Sequence, residues 1–351
     1  MDYRTINIDG QPVEFSGWER AERGVVPDVS PPNVVQTDML LGIAKKQRTG
    51  LIACAPSRGF NRVNPSIPRA DMAQMLGNRL GTANANGQGN ASEIGFAMLS
   101  NLALSIGFQQ AKIKITDRQR RQWEVSYPGM SIDRLLAKVA AMAVANEEDA
   151  DMLANVFKAS VWTENYTPGS AGCPAKWDTA SADVVAQMAY ARNHVGLLCG
   201  AEPNHLVIGQ QVADALLSNP RLLRGMKGGR GADTTNQNPM YADLQQVLKV
   251  EKLTIVDRRW NTAATVNGAA TYEYVAPDGA LYFVDDGTGP ETESAFVRAY
   301  YDNMVEGAGG VGVISNRNDE GDYTYWKVRR EASVAVLNVN AAAYWTDVIG
   351  A

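Results

Sequence analysis

Histidine is nearly missing from this chain of 351 residues, which holds only His194 and His205. Cysteine is almost as scarce: Cys54, Cys173 and Cys199 are the full set, with no C-x-x-C pair. A zinc site of His and Cys ligands at the usual short spacings is therefore excluded. An odd, widely spaced trio is no disulfide framework and fits reduced, intracellular thiols. No apolar run approaches the ~18 residues of a membrane-spanning helix. The opening "MDYRTINIDGQPVEF" has neither a basic stretch nor an apolar core, so no secretory leader is expected. Positive charge is also short, with 33 Lys and Arg against 38 Asp and Glu. Constitutive nucleic-acid binders are normally basic, because phosphate neutralisation supplies most of their affinity. Weak or transient contact with DNA stays open.

Catalytic patterns are missing as well. There is no G-x-S-x-G elbow and no H-E-x-x-H. The glycine-rich stretch "GMKGGRGADTTN" fails as a phosphate loop: Lys227 precedes its glycine, no Ser or Thr follows a lysine, and the loop follows a helix. With Lys227 and Arg230 it reads as a polar tip basic enough to touch an anionic partner. Cys199 lies five residues from His194 on a helix and faces elsewhere, so no thiol has a base beside it. The run Glu147, Glu148, Asp149 and Asp151 lacks the glycine and spacing of a calcium loop and reads as a solvated helix face. The basic segment "KIKITDRQRRQ", with Arg118, Arg120 and Arg121, faces either nucleic acid or inter-subunit ion pairs; the net charge of −5 favours ion pairs.

What is present is apolar enough, at 45% of residues, for a large core, and the length suggests two or three domains. Residues 1–35, turn-rich with Pro27, Pro31 and Pro32, suggest an extended arm. "VVQTDMLLGIAKKQRTG" suggests a short helix. Residues 55–111 enclose the low-complexity "ANANGQGNAS" and predict a projecting hairpin-like loop. Ile132, Leu135, Leu136, Val139 and Met142, then Met152, Leu153, Val156 and Phe157, recur at helical spacing. They predict one long helix from Ser131, its cap, to about Lys158. A second helix is expected after a Ser181 cap, with Val184, Val185, Met188, Ala191 and Val195 inward. "HLVIG" and "KLTIVD" read as strands, "QQVADALLSN" and "YADLQQVLKV" as helices. "YEYVAP", "ALYFVDD", "SAFVRAYYD" and "YTYWKVRREASVAVLNV" make the rest β-rich, the last alternating as a half-buried strand must.

Three runs then resemble a known family. "AEPNHLVIGQQVADALLSNPRLLRGMKGG", "YADLQQVLKVEKLTIVDRRWNTA" and "YTYWKVRREASVAVLNVNAAAYWTDV" are similar, in order and spacing, to major capsid proteins of tailed bacteriophages, whose fold is named after phage Hong Kong 97. The shared marks are Pro203-Asn204 before a strand, Asn219-Pro220 ending a helix, Asn261-Thr262-Ala263, and Val328-Arg329-Arg330-Glu331. The resemblance covers about 108–351 and is weak before that.

It implies an α+β, Hong Kong 97-type fold: an N-terminal arm (1–50), an extended loop (51–115), a peripheral domain with a long spine helix (116–180 and 296–351) and a mixed α/β axial domain (181–295). It implies a non-enzymatic subunit, without cofactor or metal, that self-assembles into pentamers and hexamers of an icosahedral capsid around double-stranded DNA. Assembly would take place in the host cytoplasm. Scaffolding and portal proteins are expected, a decoration protein is possible, DNA is weakly contacted and no membrane is involved. Candidate inter-subunit contacts are Arg118, Arg120, Arg121, Glu147, Glu148, Lys227 and Arg230. Some relatives join a loop lysine covalently to an asparagine of another subunit; this chain has no lysine from Thr49 to Ala111, so no such crosslink is expected. Because only a short arm follows the first methionine, a separate scaffolding protein is expected. The alternatives are an encapsulin-like cellular shell protein and an α/β enzyme with a site near His205, Lys227 and Arg230.

Overall fold

A computed structural model of the chain describes residues 5–8, 11–14, 50–61, 64–69, 100–126, 132–223, 241–261, 272–276, 278–285, 294–301, 311–318 and 322–350. The helix expected before residue 50, the stretch 83–92, the Ser131 cap and the loop with Lys227 and Arg230 lie outside these residues.

The long helix, Ile132–Asn155, has 24 residues and at 1.5 Å per residue runs about 36 Å. It stops short of Lys158. Val156 and Phe157 drop into the core, Trp162 Nε1 donates to the Val156 carbonyl at 2.8 Å, and Lys158 is extended. Its buried stripe also differs from the expected one. Val139 and Met142 are exposed, and Ala140 and Val144 face Trp326 and Val328 instead, with Leu136 beside them. A small residue at 140 lets the helix lie close to the sheet.

That sheet is built on β15 (Tyr323–Val336), a strand of 14 residues. Its first half pairs antiparallel with β6 (Phe108–Thr116) and β14 (Val311–Asn318). Its second half pairs with β13 (Phe296–Tyr301), which takes β3 (Ser57–Phe60) in parallel. A short helix, Asp117–Ser126, continues directly from β6 and buries none of its side chains. Within the stretch expected to form a projecting hairpin-like loop, β4 (Ser66–Arg69) pairs antiparallel with β5 (Ser100–Ala103), and residues 70–99 lie outside the described residues. Just before this stretch, Leu51 and Cys54 are enclosed in the main core.

The second sheet has the order β7-β16-β12-β8-β9, formed by Glu164–Tyr166, Ala342–Trp345, Ala280–Phe283, His205–Gly209 and Lys252–Val256. Every residue of β8, β12 and β16 is buried, as continuous apolar runs covered on both faces require. The helix Val184–Cys199 buries Val184, Met188, Ala191 and Val195, as expected, and Val185 is half-buried. Its cap is Asp183 rather than Ser181: Asp183 accepts the Ala186 N–H at 3.0 Å, and Gly200 ends the helix at φ +78°. Helices Gln210–Ser218 and Tyr241–Leu248 fall in the chain between β8 and β9, which pair directly in parallel. The last strand, grouped by sequence with the peripheral part, lies between β7, of the same expected part, and β12, of the expected axial part.

At the N-terminus, Thr5–Ile8 and Gln11–Glu14 form a two-stranded hairpin that pairs with no other strand among the described residues.

Candidate functional site

Two asparagines tie separate segments of the chain together. Asn204 donates to the Asp285 carbonyl (2.9 Å) and accepts the Asp285 N–H (2.8 Å), while its own carbonyl accepts the N–H groups of Glu251 and Lys252. It thereby ties together the ends of β8, β9 and β12. Asn219, also buried, donates to the Trp177 carbonyl at 2.9 Å and accepts from Arg221 N–H at 2.9 Å, capping the turn that Pro220 opens. The Pro-Asn and Asn-Pro pairs are thus structural ties.

His205 is the group on which an enzyme reading depends. It is completely buried and lies against Phe283 with ring centroids 4.6 Å apart. Nδ1 sits 3.3 Å from Asp285 Oδ2 and Nε2 sits 2.8 Å from Thr254 Oγ1. Burial pushes the imidazole pKa down, whereas the His205 hydrogen bond, with Lys252 at 3.1 Å, holds Asp285 at about 2. The neutral ring therefore donates from Nδ1 to a carboxylate and accepts from the Thr254 hydroxyl. The connectivity is that of a hydroxyl–imidazole–carboxylate relay. With no exposed ring surface it is a pin between strands, closed to any substrate. His194 instead lies on the helix surface, stacked on Tyr190. Burial raises the Cys54 and Cys173 thiols above their ordinary range. Among the described residues no cluster of His, Cys, Asp or Glu could hold a metal ion. No helix there is long and apolar enough to cross a membrane.

The acidic run on the long helix is not the solvated face its sequence suggests. Glu147 is exposed, but Glu148 and Asp149 are buried. Glu148 Oε1 accepts from Arg298 Nε (3.1 Å) and Nη2 (2.5 Å) and lies 2.6 Å from Arg330 Nε. Arg330 has no exposed surface and is also 3.8 Å from Asp151. One helix carboxylate thus pins β13 and β15 together. Asp149 faces the other way, accepting from Arg258 Nη1 (2.7 Å) and from Ile52 N–H (3.0 Å). Burial keeps its pKa above the ordinary carboxylate range despite Arg258. A Cβ on Gly50 would sit 2.5 Å from Asp149 and 2.7 Å from Arg258, so a larger residue there must displace the ion pair. The glutamate expected at an inter-subunit contact is therefore already paired inside its own chain.

Away from the helix, the β6–β15 sheet presents an exposed face. Lys112 lies over the Tyr325 ring (4.1 Å), Lys114 over Tyr323 (3.7 Å) and Arg329 over Phe108 (4.4 Å). Each such contact contributes about 0.5–1 kcal/mol at an exposed site. Arg118 and Arg121 are exposed on the helix that follows β6, and Arg120 is half-buried. Alternation marked β15 as a strand, "KIK" was read only as a basic segment, and the fold puts their cations on one face.

No protein-family model and no curated protein matches the sequence. Solved structures do. A phage-related protein from Bordetella bronchiseptica RB50 superposes with a TM-score of 0.63 at 15% identity, over 92% of this chain and 100% of that one. The mature capsid of bacteriophage PhiM1 gives 0.51 at 11% identity, over 93% and 92%. The fold is of the Hong Kong 97 capsid type. A virus-like particle from Pyrococcus furiosus gives 0.52 at 10% identity, over 89% and 98%. At these identities the likeness is one of architecture alone. The Glu148 and Asp149 ion pairs lie where the long helix meets β13, β15 and the entering chain.

Proposed function

We propose that this chain is the structural subunit of an icosahedral phage capsid, assembling as pentamers and hexamers around double-stranded DNA and catalysing nothing. The observation that carries the reading is a fold correspondence running the whole length of a phage-related protein and over 92% of this chain. His205, the residue on which the enzyme alternative depends, is fully enclosed, which counts against that alternative. On this reading residues 1–50 form the arm, 51–115 the extended loop, 116–180 and 296–351 the peripheral domain and 181–295 the axial domain. The pairing of β4 with β5 supports a loop excursion between them, and β16 ties the C-terminal end to the axial sheet. Lys227 and Arg230 would sit on an axial tip, and Arg118, Arg120, Arg121 and Glu147 would meet neighbouring copies. Scaffolding and portal proteins would assist assembly in the host cytoplasm, with a decoration protein an optional addition to the finished shell.

Closed symmetry lets interfaces of standard size, ~800 Å² per partner, add up to a shell no single contact could hold. A subunit with a net charge of −5 would also avoid gripping the packaged genome. Particles recovered from producing cells and treated with nuclease are expected to retain protected double-stranded DNA. Particles holding a protein cargo and no DNA would make this a cellular shell instead.

A further inference from the structure

We propose that a hydrogen-bonded ring of Gln210, Asp214 and Tyr241 sets the direction of the axial tip and thereby the size of the shell. This rests on the shell-subunit reading and assigns positioning residues within it. Residues 224–240, which carry Lys227 and Arg230, run between Leu223 and Tyr241 and lie outside the described residues. Their two ends are held in different ways. At the departing end the buried Asn219 donates to the carbonyls of Trp177 (2.9 Å) and Thr179 (3.3 Å) and accepts the N–H groups of Arg221 and Leu222. Leu222 is buried as well, so that end is fixed to the core.

At the returning end Tyr241 opens the helix Tyr241–Leu248, whose body is seated in the core by Leu244 and Leu248. Its first residue is tied to the helix Gln210–Ser218. The Tyr241 hydroxyl donates to Asp214 Oδ1 at 2.8 Å and accepts from Gln210 Nε2, which also donates to Asp214 Oδ1 at 2.9 Å. Gln210 directly follows the buried strand β8, so the ring links the returning chain to the second sheet. Tyr241 is 38% exposed, and Asp214 is exposed. Water competes for every group of such a ring, so its net contribution to stability is small. Its effect is on direction, because a closed set of three bonds fixes where the tyrosine sits. Residues 224–240, out and back at ~3.3 Å each, reach at most about 28 Å, so a tilt of about 10° at one foot moves the far end about 5 Å. Neighbours stand about 72° apart around a ring of five and about 60° apart around a ring of six. That difference is of the same size as the tilt. A chain that serves both rings therefore needs the aim of its tip confined, and the ring confines it at the exposed foot.

Three substitutions in the full chain test this, with particles made together with the products of the neighbouring genes and sized by electron microscopy. Y241F removes the hydroxyl and D214A its acceptor, whereas D214N keeps Oδ1 as an acceptor. Wild type and D214N are expected to close shells of one diameter. Y241F and D214A are expected to lose that single diameter, giving shells of mixed size or open sheets. Y241F/D214A should be no worse than either change alone, because each already opens the ring. The thermal midpoint of the unassembled subunit should stay at the wild-type value in all four variants, since the bonds are exposed to solvent. Y241F and D214A shells of wild-type diameter would overturn the proposal. A lowered midpoint in either would overturn it too, making the ring a staple between two helices. D214N behaving like D214A would assign the effect to charge and would also overturn it. A wild type that closes no shell under any condition would instead remove the shell-subunit reading.

Discussion

Glu148 and Asp149 are neighbours in sequence, yet each answers a different arginine on opposite sides of the long helix. Removing one partner of a buried ion pair leaves the other charge stranded, at a cost of about 3–5 kcal/mol. Glu148→Ala should therefore lose that much stability in denaturant unfolding of the unassembled subunit, because Arg298 and Arg330 are left facing each other. Glu147→Ala, on the exposed side, should stay within about 0.5 kcal/mol; equal effects at the two positions would contradict the assignment. A second expectation concerns acid. The unfolded chain takes up a proton at His205 near pH 6.5, while the folded chain, with its pKa pushed down, does not. Stability should therefore fall as pH drops below about 6.5. Asp285 acts in the same direction lower down, its contribution present above 3.8 and lost as pH falls through about 2. Stability measured between pH 7.5 and 5 should slope less in His205→Gln, and an unchanged slope would remove His205 from the account. None of this was legible in sequence. A charge run states its composition, but the partners of Glu148 lie 150 residues away on β13 and further still on β15. Asn204 and Asn219 were visible only as turn signals, since their bonds reach Asp285 and Trp177.

At the scale of elements, local signals held best where the chain's own periodicity decides the structure. The strand "HLVIG" and the helices "QQVADALLSN" and "YADLQQVLKV" follow their apolar patterns closely. The long helix was legible as a helix, but its orientation was not. Apolar spacing favoured Val139 and Met142, whereas the sheet selects Ala140, with no exposed surface, because Trp326 fills the space opposite. Ala140→Leu should force the helix off the sheet at about 1–3 kcal/mol, with a lowered thermal midpoint. Val139→Ala should leave that midpoint nearly unchanged, and the reverse ranking would mean the helix is seated on its other side. Gly50→Ala tests the joint where the entering chain meets the helix. Its Cβ would strike Asp149 and Arg258, so stability should drop although its backbone (φ −94°) suits alanine. A neutral result would show that the Asp149–Arg258 pair can move aside without cost.

At the scale of the molecule, the organising pairings join segments far apart in the chain: β3 with β13, β6 with β15, β16 with β12 and β7. No local pattern encodes those pairings. The whole fold was accessible from sequence only through the order of several loose motifs, and the likeness to solved structures then agrees with it. The absence of lysine between Thr49 and Ala111 belongs to this scale too. Assembled particles boiled in denaturant should run as a single band of 37.9 kDa, and a ladder of covalent oligomers would contradict the expectation. The central claim is that this chain is built to meet copies of itself. Electron microscopy of the purified protein, alone and made together with the products of its neighbouring genes, tests it most directly. Closed shells of uniform diameter, or rings of five and six, are the predicted result. A monodisperse monomer or dimer under every condition would contradict it.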